Sequence, residues 1–202
     1  MKKISEKGLI VAVYGMNNIG KSAVVAGMVE KLGDRAFCLK YPIYDIPSGR
    51  KINAYLREGN PERLTAMGAQ RIFAQNRLDF EPELIRMSQG RIAVLEDYNG
   101  TGKAWGIISG ATIEEMEEIN SGQLEPDVNI LLDGERFKNG IEANHKHESI
   151  GDEGWQRGRR IHLDLAKRYG WKMVMAKYGE LGREIDESVK LIEVEIKRRN
   201  IV

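Results

Sequence analysis

The octet Gly15-Met16-Asn17-Asn18-Ile19-Gly20-Lys21-Ser22 follows a short apolar run and opens an amphipathic stretch. Its residue types suit one task, the holding of a phosphate chain. Glycines let a backbone wrap an anion, so that successive N–H groups and a helix N-terminus point at it. A lysine after the second glycine supplies a mobile cation to the β- and γ-phosphates, and the hydroxyl that follows is a magnesium ligand. The octet fits G-x-x-x-x-G-K-[ST], the P-loop pattern. This assigns Gly15, Asn17, Asn18, Ile19, Gly20, Lys21, Ser22 and Ala23 to ATP binding, with Lys21 also catalytic.

A magnesium site beside such a loop needs a carboxylate from the end of a neighbouring strand. Ile92-Ala93-Val94-Leu95-Glu96-Asp97 and Ile130-Leu131-Leu132-Asp133 are both apolar runs that end in acid. Glu96 and Asp97 are preferred as catalytic groups, because the residues after them look like a substrate wall. Ser22 and, through water, Glu96 would hold Mg²⁺. Asp133, before Gly134, equally suits the cap of a following helix.

The elements that must position these groups can be read from the hydrophobic pattern. Leu9–Tyr14, Ala36–Tyr41, Ile92–Leu95, Val128–Leu132 and Lys172–Ala176 are strand-length apolar runs of the kind covered on both faces. Between them Lys21–Leu32, Arg63–Met87, Ile113–Asn120, Gly154–Tyr169 and Arg183–Arg199 carry helical patterns. Gly33, Gly90 and Gly170 stand just past helical stretches, where a terminating glycine is favoured. Pro42, Pro47, Pro61, Pro82 and Pro126 fall in connections or near element starts and outside the strand runs. Strand alternating with helix predicts a single α/β domain over residues 1–202: a five-stranded parallel sheet with helices on both faces.

Composition narrows the partners. Of 202 residues, 31 are Lys or Arg and 30 Asp or Glu, a formal charge of +1, so no charge excess points to nucleic acid or a membrane surface. No run approaches the roughly 20 apolar residues of a membrane helix. The lone Cys38 fits a reducing compartment, and a cytoplasmic protein is expected. Lys197-Arg198-Arg199 suits the end of a last helix, and Trp155 and Trp171 suit packing.

Downstream of the loop the chain resembles the thymidylate kinase family of nucleoside monophosphate kinases. Tyr41-Pro42 stands where that family has an aromatic-proline pair after its second strand, and Phe73-Ala74-Gln75-Asn76-Arg77 matches its F-x-x-x-R helix. Glu96-Asp97-Tyr98-Asn99-Gly100-Thr101-Gly102-Lys103-Ala104-Trp105 aligns without a gap to D-R-Y-x-x-S-x-x-A-[YF], and Arg157-Gly158-Arg159 matches an R-x-R helix behind a lid. The resemblance implies phosphoryl transfer from ATP to a pyrimidine deoxynucleoside monophosphate, dTMP to dTDP, with Mg²⁺, a P-loop NTPase fold, a short lid and a homodimer. It places Phe73 on the thymine ring and Arg77 on its exocyclic oxygen. It lines the acceptor pocket with Tyr41, Pro42, Tyr44, Arg50, Tyr98, Thr101, Gly102 and Trp105. The lid region spans about 136–154, and Arg136, Lys146 and Arg157 could each supply its cation. His145-Lys146-His147-Glu148 within it also carries the types for a metal site, but without a second ligand cluster.

The departures bear on chemistry. The family's D-R is Glu96-Asp97, and the arginine two residues after the aromatic-proline pair is Tyr44. Two cations that would face the acceptor phosphate are therefore missing, and Arg50, Lys51, Arg71 and Lys103 are the replacements in view. A nucleoside kinase, in which a carboxylate serves as base for a neutral 5′-hydroxyl, is the alternative enzyme. A non-catalytic P-loop nucleotide-binding protein is the alternative outside catalysis.

Overall fold

Six consecutive residues, Leu9–Tyr14, form β1, and all are buried. Only a central strand with both faces covered removes a whole run from water in this way. The computed structural model describes residues 8–137, 146–147 and 150–201. In chain order the elements are β1, α1 (Lys21–Leu32), β2 (Ala36–Lys40), α2 (Pro47–Arg57), α3 (Ala66–Met87), β3 (Ile92–Glu96), α4 (Asn99–Ile108), α5 (Ile113–Ile119), β4 (Val128–Gly134), α6 (Gly151–Tyr169), β5 (Lys172–Ala176) and α7 (Leu181–Arg199).

The five strands form one parallel sheet in the order β2-β3-β1-β4-β5. Alternate residues of β1 feed two cores. Leu9, Val11 and Val13 pack with Val24, Val25 and Met28 of α1 and Val189 and Ile192 of α7. Ile10, Ala12 and Tyr14 pack on the other side with Leu84 of α3, Tyr98, and Ala166 of α6. The predicted α/β class, the strand number and the helices on both faces all hold.

Two helices depart from the expectation. The first, α2, starts with Pro47 at its first turn, where a missing N–H costs nothing, and buries Ile52, Tyr55 and Leu56 at helical spacing. The second, α4, contains Gly100, Gly102 and Gly106, each a poor helix former. Close packing explains two of them. A Cβ on Gly100 would stand 2.7 Å from both Trp171 and Tyr14 side-chain atoms, and one on Gly106 2.1 Å from the Met116 sulfur.

Boundaries shift by a few residues. Thr65 caps α3 by accepting from the Gly68 N–H, so the helix begins at Ala66 and not at Arg63. Pro82 lies inside α3, a correction to its reading as a connection residue. Helix α6 starts at Gly151 and α7 at Leu181, each earlier than expected.

Candidate active site

The C-terminal ends of β1, β2 and β3 converge, and one cleft of about 380 Å³ opens over them. Ligands of open α/β sheets bind at this edge. The loop after β1 supplies Asn17, Asn18 and Gly20 to the lining, and the first turn of α1 supplies Lys21, Ser22 and Ala23. Gly15 explains the tightness of that loop. Its φ is +142°, and a Cβ there would stand 2.5 Å from the Leu132 carbonyl oxygen. Trp155, buried as expected for a packing residue, also braces the loop by donating its indole N–H to the Asn17 carbonyl at 2.8 Å. Ile19 does not reach the cleft; its side chain lies in the core against α1.

Lys21 is only 5 % exposed, and its ammonium donates to the Gly15 and Met16 carbonyls at 2.9 Å each while standing 3.6 Å from Asp97. The Ser22 hydroxyl donates to Glu96 Oε1 at 2.8 Å. Lys40, at the end of β2, reaches both groups: its Nζ is 3.1 Å from Ser22 Oγ and 2.8 Å from Glu96 Oε1. Burial opposes the Lys40 charge, but the hydrogen bond and charge of Glu96 outweigh it, so the lysine pKa is raised. Burial pushes the Asp97 carboxyl up, with Lys21 pulling it back and Glu96 adding to the rise. Asp97 also accepts from the Thr101 hydroxyl at 3.0 Å. A hydroxyl beside a carboxylate is a hard-oxygen donor set of the kind that suits magnesium with phosphates. Asp133 takes no part: it is gripped by Arg159 through bonds of 2.6 and 2.8 Å inside β4, and it caps no helix.

The opposite end of the cleft is built by α3 and α4. Phe73 and Arg77 stand one turn apart on α3, and Thr101, Gly102 and Trp105 face them from α4. Arg77 is buried, with Nε donating to Gln123 at 2.9 Å and Nη2 to Asn120 at 2.7 Å. Both partners are neutral amides. Burial lowers the guanidinium pKa to about 10, although the nearby tyrosines favour the charged form. Gly102 makes room for this cation: a Cβ there would stand 2.8 Å from Arg77 Nη2. His147 stacks on Trp105 with ring centroids 3.8 Å apart and 9° between planes, and lies 6.2 Å from Phe73.

Other predicted residues fall elsewhere. Tyr41 and Pro42 line the cleft after β2, joined by a cis peptide, and Tyr44 lines it too. Tyr98 does not: it is fully buried beneath the cleft, edge-on to Tyr41 at 5.1 Å, because Asp97 at φ +62° breaks the strand alternation and turns the ring into the core with Ala93 and Leu95. Arg50 is exposed outside the cleft, donating to the Asp45 carbonyl at 3.5 Å. Of the lid cations, Arg136 pairs with Asp152 at 3.5 Å, Arg157 is exposed on α6, and Lys146 lies 4.1 Å from the Tyr55 ring. The rest of the expected lid, 138–145 and 148–149, lies outside the described residues, as do His145 and Glu148 of the metal-type tetrad. Among the described residues no cluster of three or more His, Cys, Asp or Glu could hold a metal, and no helix is long and apolar enough to cross a membrane. Two cleft cations, Lys40 and Arg57, lie outside the sequence-based expectation.

No protein-family model matches the chain. It is 26% identical over 200 residues to a probable thymidylate kinase of Pyrobaculum calidifontis, covering 94% of this chain and 100% of that protein. It is also 26% identical over 171 residues to a thymidylate kinase of Cereibacter sphaeroides, covering 79% and 76%. Among solved structures, a thymidylate kinase from Candida albicans superposes with a TM-score of 0.81 at 16% identity, over 93% of this chain and 92% of that one. One from Ehrlichia chaffeensis gives 0.70 at 14% identity, over 92% and 98%. The chain is thus similar to thymidylate kinases along almost its whole length and shares the fold of two of them.

Proposed function

We propose that the chain is a single kinase domain that transfers the γ-phosphoryl group of ATP to dTMP, giving ADP and dTDP. One observation carries this reading: the P-loop lysine and an aromatic slot with a buried arginine line the same cleft. A donor phosphate chain on Gly15–Ser22 and a pyrimidine between Phe73 and Trp105 would then point toward each other across Glu96 and Asp97. Arg77 would donate to an exocyclic oxygen of the base, a contact suited to a guanidinium whose other donors are held by neutral amides.

An oxygen of the acceptor phosphate attacks the γ-phosphorus in line, the bond to the bridging oxygen breaks, and ADP leaves. Catalysis of this kind is positioning and charge neutralisation. Lys21 would leave the loop carbonyls for the transferred group. Magnesium would be held by Ser22 Oγ and Glu96, directly or through water, and would neutralise phosphate charge there. Of the three lid cations, Lys146 adjoins the cleft, next to His147, with its backbone N–H on the Leu56 carbonyl at 3.2 Å. A cytoplasmic setting fits the exposed free thiol of Cys38, and a homodimer follows from the family likeness.

The test is a coupled assay of ADP release with ATP and Mg²⁺. Release with dTMP and not with thymidine supports the reading. Release with thymidine alone makes the chain a nucleoside kinase, and release with neither makes it a nucleotide-binding protein. Light scattering reads the assembly state.

A further inference from the structure

Of the cations raised in place of the missing arginines, Arg50 and Arg71 are exposed outside the cleft, Lys51 pairs with Glu62 at 3.8 Å, and Lys103 lies over the Tyr169 ring at 4.4 Å. Inside the cleft, Lys21 faces Asp97 and Lys40 faces Glu96. Arg77 pairs with no carboxylate among the described residues, although it is only 3 % exposed. A buried guanidinium without a counter-charge needs neutral acceptors to hold it.

Those acceptors come from the connection between α5 and β4, and they close a ring of hydrogen bonds. Arg77 Nε donates to Gln123 Oε1 and Nη2 to Asn120 Oδ1, while Gln123 Nε2 donates to the same Asn120 oxygen at 3.3 Å. Backbone carbonyls take the amide N–H groups: Asn120 Nδ2 donates to Met116 at 2.7 Å, and Gln123 Nε2 to Ala74 at 3.4 Å. Each amide is thereby oriented with its oxygen on the cation, and turning either one over would set donor against donor. Leu124 extends the contact, its backbone N–H donating to Glu81 Oε2 at 2.7 Å. Ala74, Arg77 and Glu81 share one face of α3, so the connection runs along that face as a strap. Nη1 makes no hydrogen bond among the described residues, and Arg77 lines the cleft.

We propose that Asn120 and Gln123 are positioning residues for base recognition: they lock the Arg77 fork by Nε and Nη2 and leave Nη1 to the edge of the acceptor's pyrimidine. This rests on the reading of the cleft as a dTMP site and adds to it the residues that set its choice of base. A carbonyl at that edge accepts from Nη1, whereas the amino group of a cytosine sets donor against donor. Neutral amides suit the task, because a carboxylate in either place would spend the cation's charge inside the protein.

A double-mutant cycle tests it, read as the Kd of dTMP and of dCMP by calorimetry. Gln123→Met keeps the side-chain length without the acceptor. It should weaken dTMP about 10-fold and leave dCMP and ATP within about twofold, so that most of that factor is lost from the preference for dTMP. In an Arg77→Met background the same substitution should change dTMP affinity by less than about twofold, since it acts only through the guanidinium. Unchanged dTMP affinity in Gln123→Met overturns the assignment. So does an equal loss with and without Arg77, or equal weakening of dTMP and dCMP, since either marks Gln123 as packing. Should Gln123→Met fail to fold, Asn120→Ser, whose hydroxyl is too short to reach Nη2, decides by the same cycle. Wild-type protein that makes no dTDP in the coupled assay sinks the monophosphate-kinase reading itself, whereas an active wild type indifferent to Gln123 sinks only this clamp.

Discussion

The two ends of the cleft are built by different means. The end proposed for the donor is backbone: a loop at positive φ, carbonyls that hold Lys21, and the N-terminus of α1. The end proposed for the acceptor is side chains from α2, α3 and α4, brought together only when those helices pack on the sheet. Backbone-built sites impose a local residue order and so leave a motif. Side-chain-built sites can exchange one residue for another wherever a second element passes near.

The contrast breaks hardest at Lys21. Lys21→Met should lower kcat by about 10³-fold with little change in dTMP affinity, read by single-turnover kinetics and equilibrium binding. An equal loss in both would mean the two ends are not separable. Gly102→Val is the mirror experiment. Its side chain would press on the Arg77 guanidinium and should cut kcat/KM for dTMP by about 10²-fold while ATP binding persists.

Acid should act on the α6 side of the sheet, through His162. That imidazole is buried, has no hydrogen-bond partner at Nε2 among the described residues, and has its pKa lowered by burial to about 4 from an ordinary 6.5. The unfolded chain therefore takes up a proton first. Stability from this group is complete above about pH 6.5, falls as pH drops toward 4, and totals about 3 kcal/mol. Asp97, raised by burial, works in the opposite sense, so the comparison must be made within one group. Urea midpoints at pH 7 and pH 4 should differ more in wild type than in His162→Gln. The smallest effect is expected at Phe73→Ala, which should raise the KM for dTMP about tenfold and leave ATP untouched. Equal losses for both ligands would mark Phe73 as packing.

The same contrast governs how much of the molecule is legible in its sequence. Strand Leu9–Tyr14 is legible to the residue, because double-sided burial writes a continuous apolar run. Lys172–Ala176, at the sheet edge, buries only Val174 and Ala176 and is legible from its apolar composition alone. The P-loop is legible because a cradle made of backbone fixes which residue types follow one another. Helix α4 is not: its glycines look like a loop until Trp171, Tyr14 and Met116 are seen pressed against them. Helix α2 hides behind Pro47 and Gly49, although Ile52, Tyr55 and Leu56 carry its spacing. With α2 unread, Arg57 cannot be placed in the cleft. Tyr98 fails for a simpler reason, since alignment says that a residue is near a site without saying which way its ring faces.

The imidazole of His147 changes how base preference should be understood. It already lies flat on Trp105, so a pyrimidine reaching that indole trades places with another ring and does not cover a bare surface. Such a swap returns much of the ring-on-ring attraction to zero, since one flat ring leaves as another arrives. What survives as selectivity is the pattern of donors and acceptors around the incoming ring's edge. On the proposed reading, the burden of telling one base from another would then fall on Arg77 and its amide partners, and not on the aromatic walls.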